Sequence, residues 1–447
     1  MISKTINIRK GLDIPIGGAA EKRVTDMRDI ALYAVKPIDF VGLTPRLLVA
    51  KGDKVAQGDA LFCDKNDERI RFTSPVGGVV KAVVRGEKRR LMEVVVEKDE
   101  AQKQCHDHFD SLSTSEDIKK AMLGCGLWTS LRQRPFGTVA NPDDEPKAIF
   151  VSAFSSAPMA PDYDFVMQGK EEFLKKGLEA LSKLTKGLVH ICFLPNQRLA
   201  EQLSTVNSQL STHFVKGPHP SGNIGTQINH IDPINKGEVV WTMNLQDVAV
   251  LGELVGTGVY NPEKVIAVAG PNVENPQYYR VKAGACLKDI KFKENSRVIS
   301  GDVLSGTQIA PDGYLGAYDD LVSVIPEGNY YDFMGWLMPG FKKFSFSRTF
   351  LSGFMPKLLN WKFDTNTHGD QRPLVFTGDF ERVFPFDIYP TQLIKACVIG
   401  DIDLMENLGI YEVEPEDFAL CEFIDVSKTD IQKIIREALE KLRKEGV

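Results

Sequence analysis

Two histidines and an aspartate fall within one loop punctuated by glycine and proline, KGPHPSGNIGTQINHIDPI (216–234). His219 and His230 are of the type that titrates near neutrality, and with Asp232 they could take up and release protons. Gly217, Pro218, Pro220 and Gly222 crowd the start of the loop, and glycine lets backbone come close to a ligand or a phosphate. The same residues serve equally well as hydrogen-bonded members of an ordinary connection between a strand and a helix. Neither a GxGxxG nor a GxxxxGK[ST] pattern occurs, so nucleotide binding has little support in motifs.

A second candidate for chemistry is the hairpin LFCDKNDERIRFTSPVGGVVKAVV (61–84), which has the outline on which carrier domains present a lipoylated or biotinylated lysine. Lys65 would be that lysine. The charged turn DKNDER, without small or methionine neighbours, instead reads as a solvated loop, and an unmodified Lys65 is expected. The seven cysteines, Cys63, Cys105, Cys125, Cys192, Cys286, Cys397 and Cys421, contain no CxxC pair. Zinc and iron–sulfur sites usually cluster their thiols, so scattered reduced cysteines are expected. Cys105, His106, Asp107 and His108 form the one group of adjacent ligand types, in a polar connecting stretch.

These residues need elements to hold them. At 447 residues the chain is long enough for about three domains. With 43% hydrophobic and 26% charged residues it has the composition of a globular protein. A net charge of −6 gives no overall attraction to nucleic acid. The opening MISKTINIRKGLDIPIGG has no apolar run, so no secretory signal is expected. No apolar run reaches the roughly 18 residues of a membrane span, so any membrane role would be peripheral.

Short strands broken at Gly52-Asp53 and Gly58-Asp59 predict a β domain over residues 1–105. Strands such as KAIFVSAF and LVHICFLP alternate with amphipathic helices over 106–274, predicting a parallel sheet covered on both faces, with ligands at the strand C-termini. KVIAVAGP (264–271) is read as the last strand of that sheet. Residues 275–329 return to short strands and turn glycines. From 330 onward the pattern becomes helical, and Ile431, Ile434, Ile435, Ala438, Leu439 and Leu442 form one stripe.

Several long segments together resemble one family. They are IRKGLDIPIGGA, TSPVGGVV, GLWTSLRQRPFGTVANPDDEPKAIFVSAFSSAPMAPDY, HPSGNIGTQINHIDPI, MGWLMPGFKKFSFSRTFLS and FERVFPFDIYPTQLIKACVIGDIDLMENLGIYEVEPEDFALCEF. In that order, over nearly the whole chain, they resemble the A subunit of the sodium-translocating NADH:quinone oxidoreductase. The resemblance implies a multidomain α/β architecture similar to the NADH- and flavin-binding subunit of respiratory complex I. Its parts are a carrier-like barrel-sandwich domain (1–105), a Rossmann-like domain (106–274), a β-grasp module (275–329), and a docking segment with a C-terminal helical domain (330–447). It further implies a peripheral subunit on the cytoplasmic face of the bacterial inner membrane. The NADH, flavins and iron–sulfur centre would lie in partner subunits of a sodium-pumping respiratory complex, one partner being a membrane-embedded quinone-site subunit.

Where the complex I relative has a glycine-dense flavin loop, this chain has GLWTSLRQRPFGTV, and where the relative has clustered cysteines, Cys421 is alone. No redox cofactor is therefore expected in the chain itself, and the isolated chain is expected to be inactive. The competing expectations are a self-sufficient flavin- or lipoyl-carrying redox protein and a free-standing soluble binding protein. If quinone, such as ubiquinone, binds here, the expected contacts are Trp128, Arg134, Phe136, His219, Gly222, His230 and Asp232, an aromatic slot with a few donors.

Residues 330–363 hold eleven aromatics, with Lys342, Lys343, Arg348, Lys357 and Lys362 against one acid, Asp332. Within this window Trp336, Phe341, Lys342, Lys343, Phe344, Arg348 and Phe350 form an expected docking strip for the membrane subunit. The other use of these rings is packing between the third module and the C-terminal helices.

Overall fold

The structure is a computed structural model that describes residues 4–103, 108–110, 112–203, 208–335, 337–341, 343–354, 361, 363–375 and 377–446. Trp336 and Lys342, together with Cys105, His106 and Asp107, lie outside the described residues.

Alternating apolar residues close the first module. Leu32–Val35, Leu91–Lys98, Gly78–Arg85 and Lys54–Val55 form a four-stranded sheet, and Pro45–Leu47, Ala60–Asp64 and Arg71–Thr73 a three-stranded one. Leu61, Phe62, Phe72, Val80, Val94 and Val96 fill the space between them. Phe62 and Phe72 stack at 4.8 Å. Lys65 lies exposed in the turn after Ala60–Asp64.

The second sheet has seven strands: β1 (Lys4–Asn7), β2 (Arg132–Arg134), β3 (Thr138–Val139), β4 (Ala148–Ser152), β5 (Leu188–Phe193), β6 (Leu210–Lys216) and β7 (Val240–Thr242). Their order is β1-β6-β5-β4-β7-β2-β3, parallel from β1 through β7, with β2 and β3 antiparallel at the far edge. β4 is the first parallel strand after the β2–β3 hairpin. The chain moves outward from it through β5 and β6, then returns to its other side for β7, so the order reverses between β4 and β7. The central strands are apolar on both faces, as strands covered by helices on both sides must be.

Helix α1 (Ser115–Cys125) starts with a reciprocal cap, in which Thr114 Oγ1 accepts from the Asp117 N–H at 3.2 Å while the Asp117 carboxylate accepts from the Thr114 N–H. Helix α2 (Glu171–Ser182) packs against α4 (Leu245–Thr257), with α3 (Ile224–Ile231) between them in the chain. The crossing of α2 and α4 depends on two glycines. A Cβ on Gly252 would sit 1.7 Å from the Phe173 carbonyl oxygen, and one on Gly177 would sit 2.0 Å from that of Val248.

The third sheet runs Thr307–Ile309, Ser296–Ser300, Leu321–Pro326, Glu263–Ala269, Gln277–Lys282, Glu21–Asp26. Three strands pair elsewhere than the sequence reading placed them. The apolar run 264–271 belongs to this third sheet, through Ala267 opposite Leu321 and Val265 opposite Arg280. A run of β-branched residues makes a strand without saying which neighbour it will pair with. Residues 4–26 also leave the barrel: β1 joins the seven-stranded sheet beside β6, and Glu21–Asp26 edges the third sheet.

The C-terminal helices surround a separate core of Phe380, Phe384, Phe386, Leu393, Phe418 and Cys421, with Ile14 inserted from the N-terminal segment. On α5 (Ile431–Glu445), Ile431, Ile435, Ala438, Leu439 and Leu442 are buried and Ile434 is half-buried.

Because backbone oxygens block any Cβ at the α2–α4 crossing, Gly252→Ala should push the helices apart. The expected cost is about 3 kcal/mol, read as a lower midpoint of thermal unfolding than for the unaltered chain. An unchanged midpoint would mean that the crossing tolerates a methyl group.

Candidate functional site

At the edge of the sheet, β2 ends on Arg134, whose guanidinium is buried among three carboxylates of the C-terminal module. Nη1 lies 3.2 Å from Asp417 Oδ2 and Nε 3.4 Å from Glu414 Oε1, and Nη2 pairs with Glu416. Burial disfavours the charge on Arg134, but Glu414, Asp417 and Glu416 outweigh it and hold the guanidinium protonated. Burial pushes Asp417 up to about 7 despite Arg134, with Glu416 adding to the rise. Arg436 donates to the Phe136 carbonyl at 2.9 Å, adding a second tie between the same two modules.

A cleft of about 210 Å³ opens above the C-terminal ends of β4 and β7, where the strand order reverses. Open α/β sheets bind ligands at such a reversal, because the connections part to opposite faces and leave a crevice. Ser152 and Thr242 form its floor, and the first residues of α3 and α4 form its sides. Asp302, Asp319 and Asp320 of the third module and Glu416 of the C-terminal module close it.

Of the expected site residues, His219 and Gly222 line this cleft. The His219 backbone N–H donates to Asp13 at 2.9 Å, and its Nδ1 lies 3.1 Å from Ser156 Oγ. Burial lowers its pKa, against the opposing pull of Asp302, Asp13 and Glu416. The Gly222 N–H donates to Ser156 Oγ at 2.8 Å, and a Cβ there would meet the Ser156 nitrogen at 2.3 Å.

The other expected residues are elsewhere. Trp128 is fully buried edge-on to Trp241, with Nε1–H donating to Ala140 O at 2.8 Å, so its ring belongs to the core and faces no ligand slot. Arg134 is taken up by its carboxylates. Phe136 packs edge-on to Tyr411 at 6.2 Å. His230 reaches the Thr226 carbonyl within α3 at 2.9 Å, and Asp232 pairs with Lys147 at 2.7 Å. His219 and Asp232 are thus not brought to one site.

A second cavity, of about 90 Å³, lies where the barrel, the seven-stranded sheet and the third module meet. Phe40, Phe72, Tyr260 and Tyr318 line it, with Lys36 and Lys264 reaching in. Phe40 is edge-on to Phe72 at 4.4 Å and to Tyr318 at 5.5 Å. Lys36 lies 3.5 Å from Asp39, and Lys264 lies 3.1 Å from Asp247. Burial raises Asp39 to about 6, although Lys36 and the Ala317 N–H act against it. The sequence reading did not find this cavity, because its walls come from segments more than two hundred residues apart and no local pattern joins them.

The expected docking strip is split. Phe341 is 62% exposed and Arg348 is exposed, whereas Phe344 packs against Trp361, Phe363 and Phe423, and Phe350 is half-buried. Lys343 is paired with Asp332. Residues outside the expected set stand clear of the chain: Tyr331 (103%), Phe333 (90%) and Phe354 (81%), with Leu337 and Met338 between them.

Three family profiles match in order: the NqrA N-terminal barrel-sandwich hybrid domain over 6–99, the NqrA second alpha/beta domain over 113–260 and the NQRA C-terminal domain over 265–310. Full-length relatives, each named as the A subunit of a Na(+)-translocating NADH-quinone reductase, include those of Yersinia pseudotuberculosis serotype I (strain IP32953), 38% identical, and Histophilus somni (strain 2336), 40% identical. That of Serratia proteamaculans (strain 568) is 39% identical. Each alignment covers 99% of this chain and 100% of the relative.

The Arg134 cluster makes stability depend on pH. Asp417 is raised from 3.8 to about 7 on folding, so between these values the folded state holds more protons than the unfolded one. Its contribution is intact below the unfolded value and is lost as pH rises through about 7. Asp417→Asn removes this titration, so the fall in unfolding midpoint across that window should be shallower in the variant. Parallel curves would place the titration elsewhere.

Proposed function

The chain belongs to the family of A subunits of the Na(+)-translocating NADH-quinone reductase and is thus a component of a membrane NADH:quinone oxidoreductase complex, and from that premise we propose a peripheral role in assembly and quinone-site formation, without a redox group of its own. No helix among the described residues is long and apolar enough to cross a membrane. Attachment to the cytoplasmic face of the membrane would then go through a partner. We read the larger sheet, with its parallel centre, as Rossmann-like and the smaller one as a β-grasp module. Within the segment 126–137, Trp128 and Leu131 are packed into the core and Arg134 is locked to its carboxylates, and glycine stands only at the two ends, not in a run that could cradle a flavin phosphate. This supports a scaffold that carries no flavin.

The observation that carries the assembly reading is the segment 331–354. Tyr331, Phe333, Leu337, Met338, Phe341 and Phe354 together expose far more apolar surface than a free-standing chain gains from showing to water. The segment is basic within a chain of net charge −6. An apolar and cationic face suits a membrane-embedded partner that presents apolar surface and acidic loops.

The quinone reading rests on the smaller cavity. A quinone ring is apolar and its oxygens only accept hydrogen bonds, whereas the larger cleft is lined mostly by polar groups, four carboxylates among them. The cavity walled by Phe40, Phe72 and Tyr318 offers ring faces and edges, and Lys36 and Lys264 offer N–H donors.

Phe333→Ser combined with Phe354→Ser should leave the unfolding midpoint of the isolated chain unchanged while the chain dissociates from the purified complex. Retention of the double variant at full stoichiometry would move the interface to another face. Val35→Trp, which fills the smaller cavity, should raise the KM for a short-chain ubiquinone by about tenfold in the assembled complex, about 1.4 kcal/mol. An unchanged KM would remove this cavity from the quinone path.

A further inference from the structure

The cleft at the strand-order reversal has a donor set that the quinone reading leaves unused. Arg132, on β2, sends its guanidinium to the cleft, 5.0 Å from the centre of the Tyr318 ring. The four lining carboxylates are all engaged by protein donors. Asp302 accepts from Leu304 N, Ser305 N and Ser305 Oγ, and Asp319 accepts from Ser300 Oγ. Asp320 accepts from the Tyr163 hydroxyl, and Glu416 is paired with Arg134. Among the described residues Arg132 is the one charged side chain of the lining that makes no hydrogen bond or ion pair.

His219 supplies an independent observation. Ser156 Oγ accepts from the Gly222 N–H and pairs with His219 Nδ1, so one ring nitrogen is already engaged. The ring is only 3% exposed, it lines the cleft, and Nε2 has no hydrogen-bond partner among the described residues. Helices α3 and α4 begin beside it at Asn223 and Asn244, and neither N-terminus is capped by a side chain. Their first-turn N–H groups and dipoles favour an anion.

We propose that this cleft binds a small organic phosphate bearing hydroxyl groups. The phosphate lies between Arg132 and the N-termini of α3 and α4. The hydroxyls donate to the spare lone pairs of Asp302 and Glu416, and one pairs with His219 Nε2, which a hydroxyl can do as donor or as acceptor. A bare phosphate would meet the carboxylate wall with nothing to give it. A cation would find each carboxylate already partnered and Arg132 opposing it. A molecule that is anionic at one end and hydroxylated at the other satisfies both walls. The site is separate from the smaller, aromatic cavity, so the quinone reading can fail without touching it.

Calorimetric titration of the full chain with ribose 5-phosphate, inorganic phosphate and ribose tests this. Ribose 5-phosphate should bind saturably, with the other two at least about tenfold weaker, about 1.4 kcal/mol. Arg132→Gln should weaken ribose 5-phosphate by about tenfold or more, while Arg132→Lys, which keeps the charge, retains part of the binding. Unfolding midpoints of both variants report whether the fold survives. Absence of saturable heat at about 10 mM ribose 5-phosphate, where even a millimolar site would be filled, overturns the proposal. So does equal affinity in a folded Arg132→Gln chain. Inorganic phosphate binding as tightly as ribose 5-phosphate overturns the part assigned to the hydroxyls.

Discussion

A guanidinium without water must be paid for by its neighbours, and Arg134 has three. Removing a charge from solvent costs several kcal/mol, which is recovered only with close, well-aligned partners. Asp417, Glu414 and Glu416 provide them from a segment about 280 residues further along the chain. Arg134 ends the strand next to β7, so the cluster fixes the C-terminal helices against the edge of the large sheet. It also fixes Glu416, and with it one wall of the cleft. The arrangement leaves little freedom, because moving the helices outward would strand a cation on one side and carboxylates on the other.

The two cavities divide the chemistry of the molecule. The larger is polar, bordered by helix N-termini, and built at a reversal of strand order. The smaller is aromatic, and three modules must be docked before it exists. Tyr318 touches both, with its ring on Arg132 at the larger and on Phe40 at the smaller. Tyr318 thus joins the lining of both cavities to the third module.

Much of this architecture can be read from periodicity. The alternating strands and turn glycines of the barrel, the hydroxyl cap of α1 and the apolar stripe of α5 are local signals, and each sits where local physics puts it. Pairing across modules has no such signal. The run 264–271 has the composition of a buried strand in either sheet, and only its neighbours decide which. Trp128 and Arg134 have the residue types of a ligand slot, but the first is core and the second is taken up by acids that no spacing rule connects to it. His219 was legible because glycine and proline crowd its loop. Arg132 was not, because an arginine in a strand is ordinary until its partners are known to be absent. In the segment 330–354 the aromatic density was legible, but the division into packed and exposed rings was not, because it depends on Trp361, Phe363 and Phe423.

Residues 4–26 run through the molecule as a seam. Lys4 pairs opposite His213, Ile14 fills a hole in the C-terminal core, and Val24 pairs opposite Tyr278. Their partners all lie some two hundred residues or more further along the chain. The barrel sheets, by contrast, pair only strands drawn from residues 32–98. One stretch of chain thus ties the large sheet, the C-terminal core and the third sheet together, and none of the three can move away from the others without pulling on it.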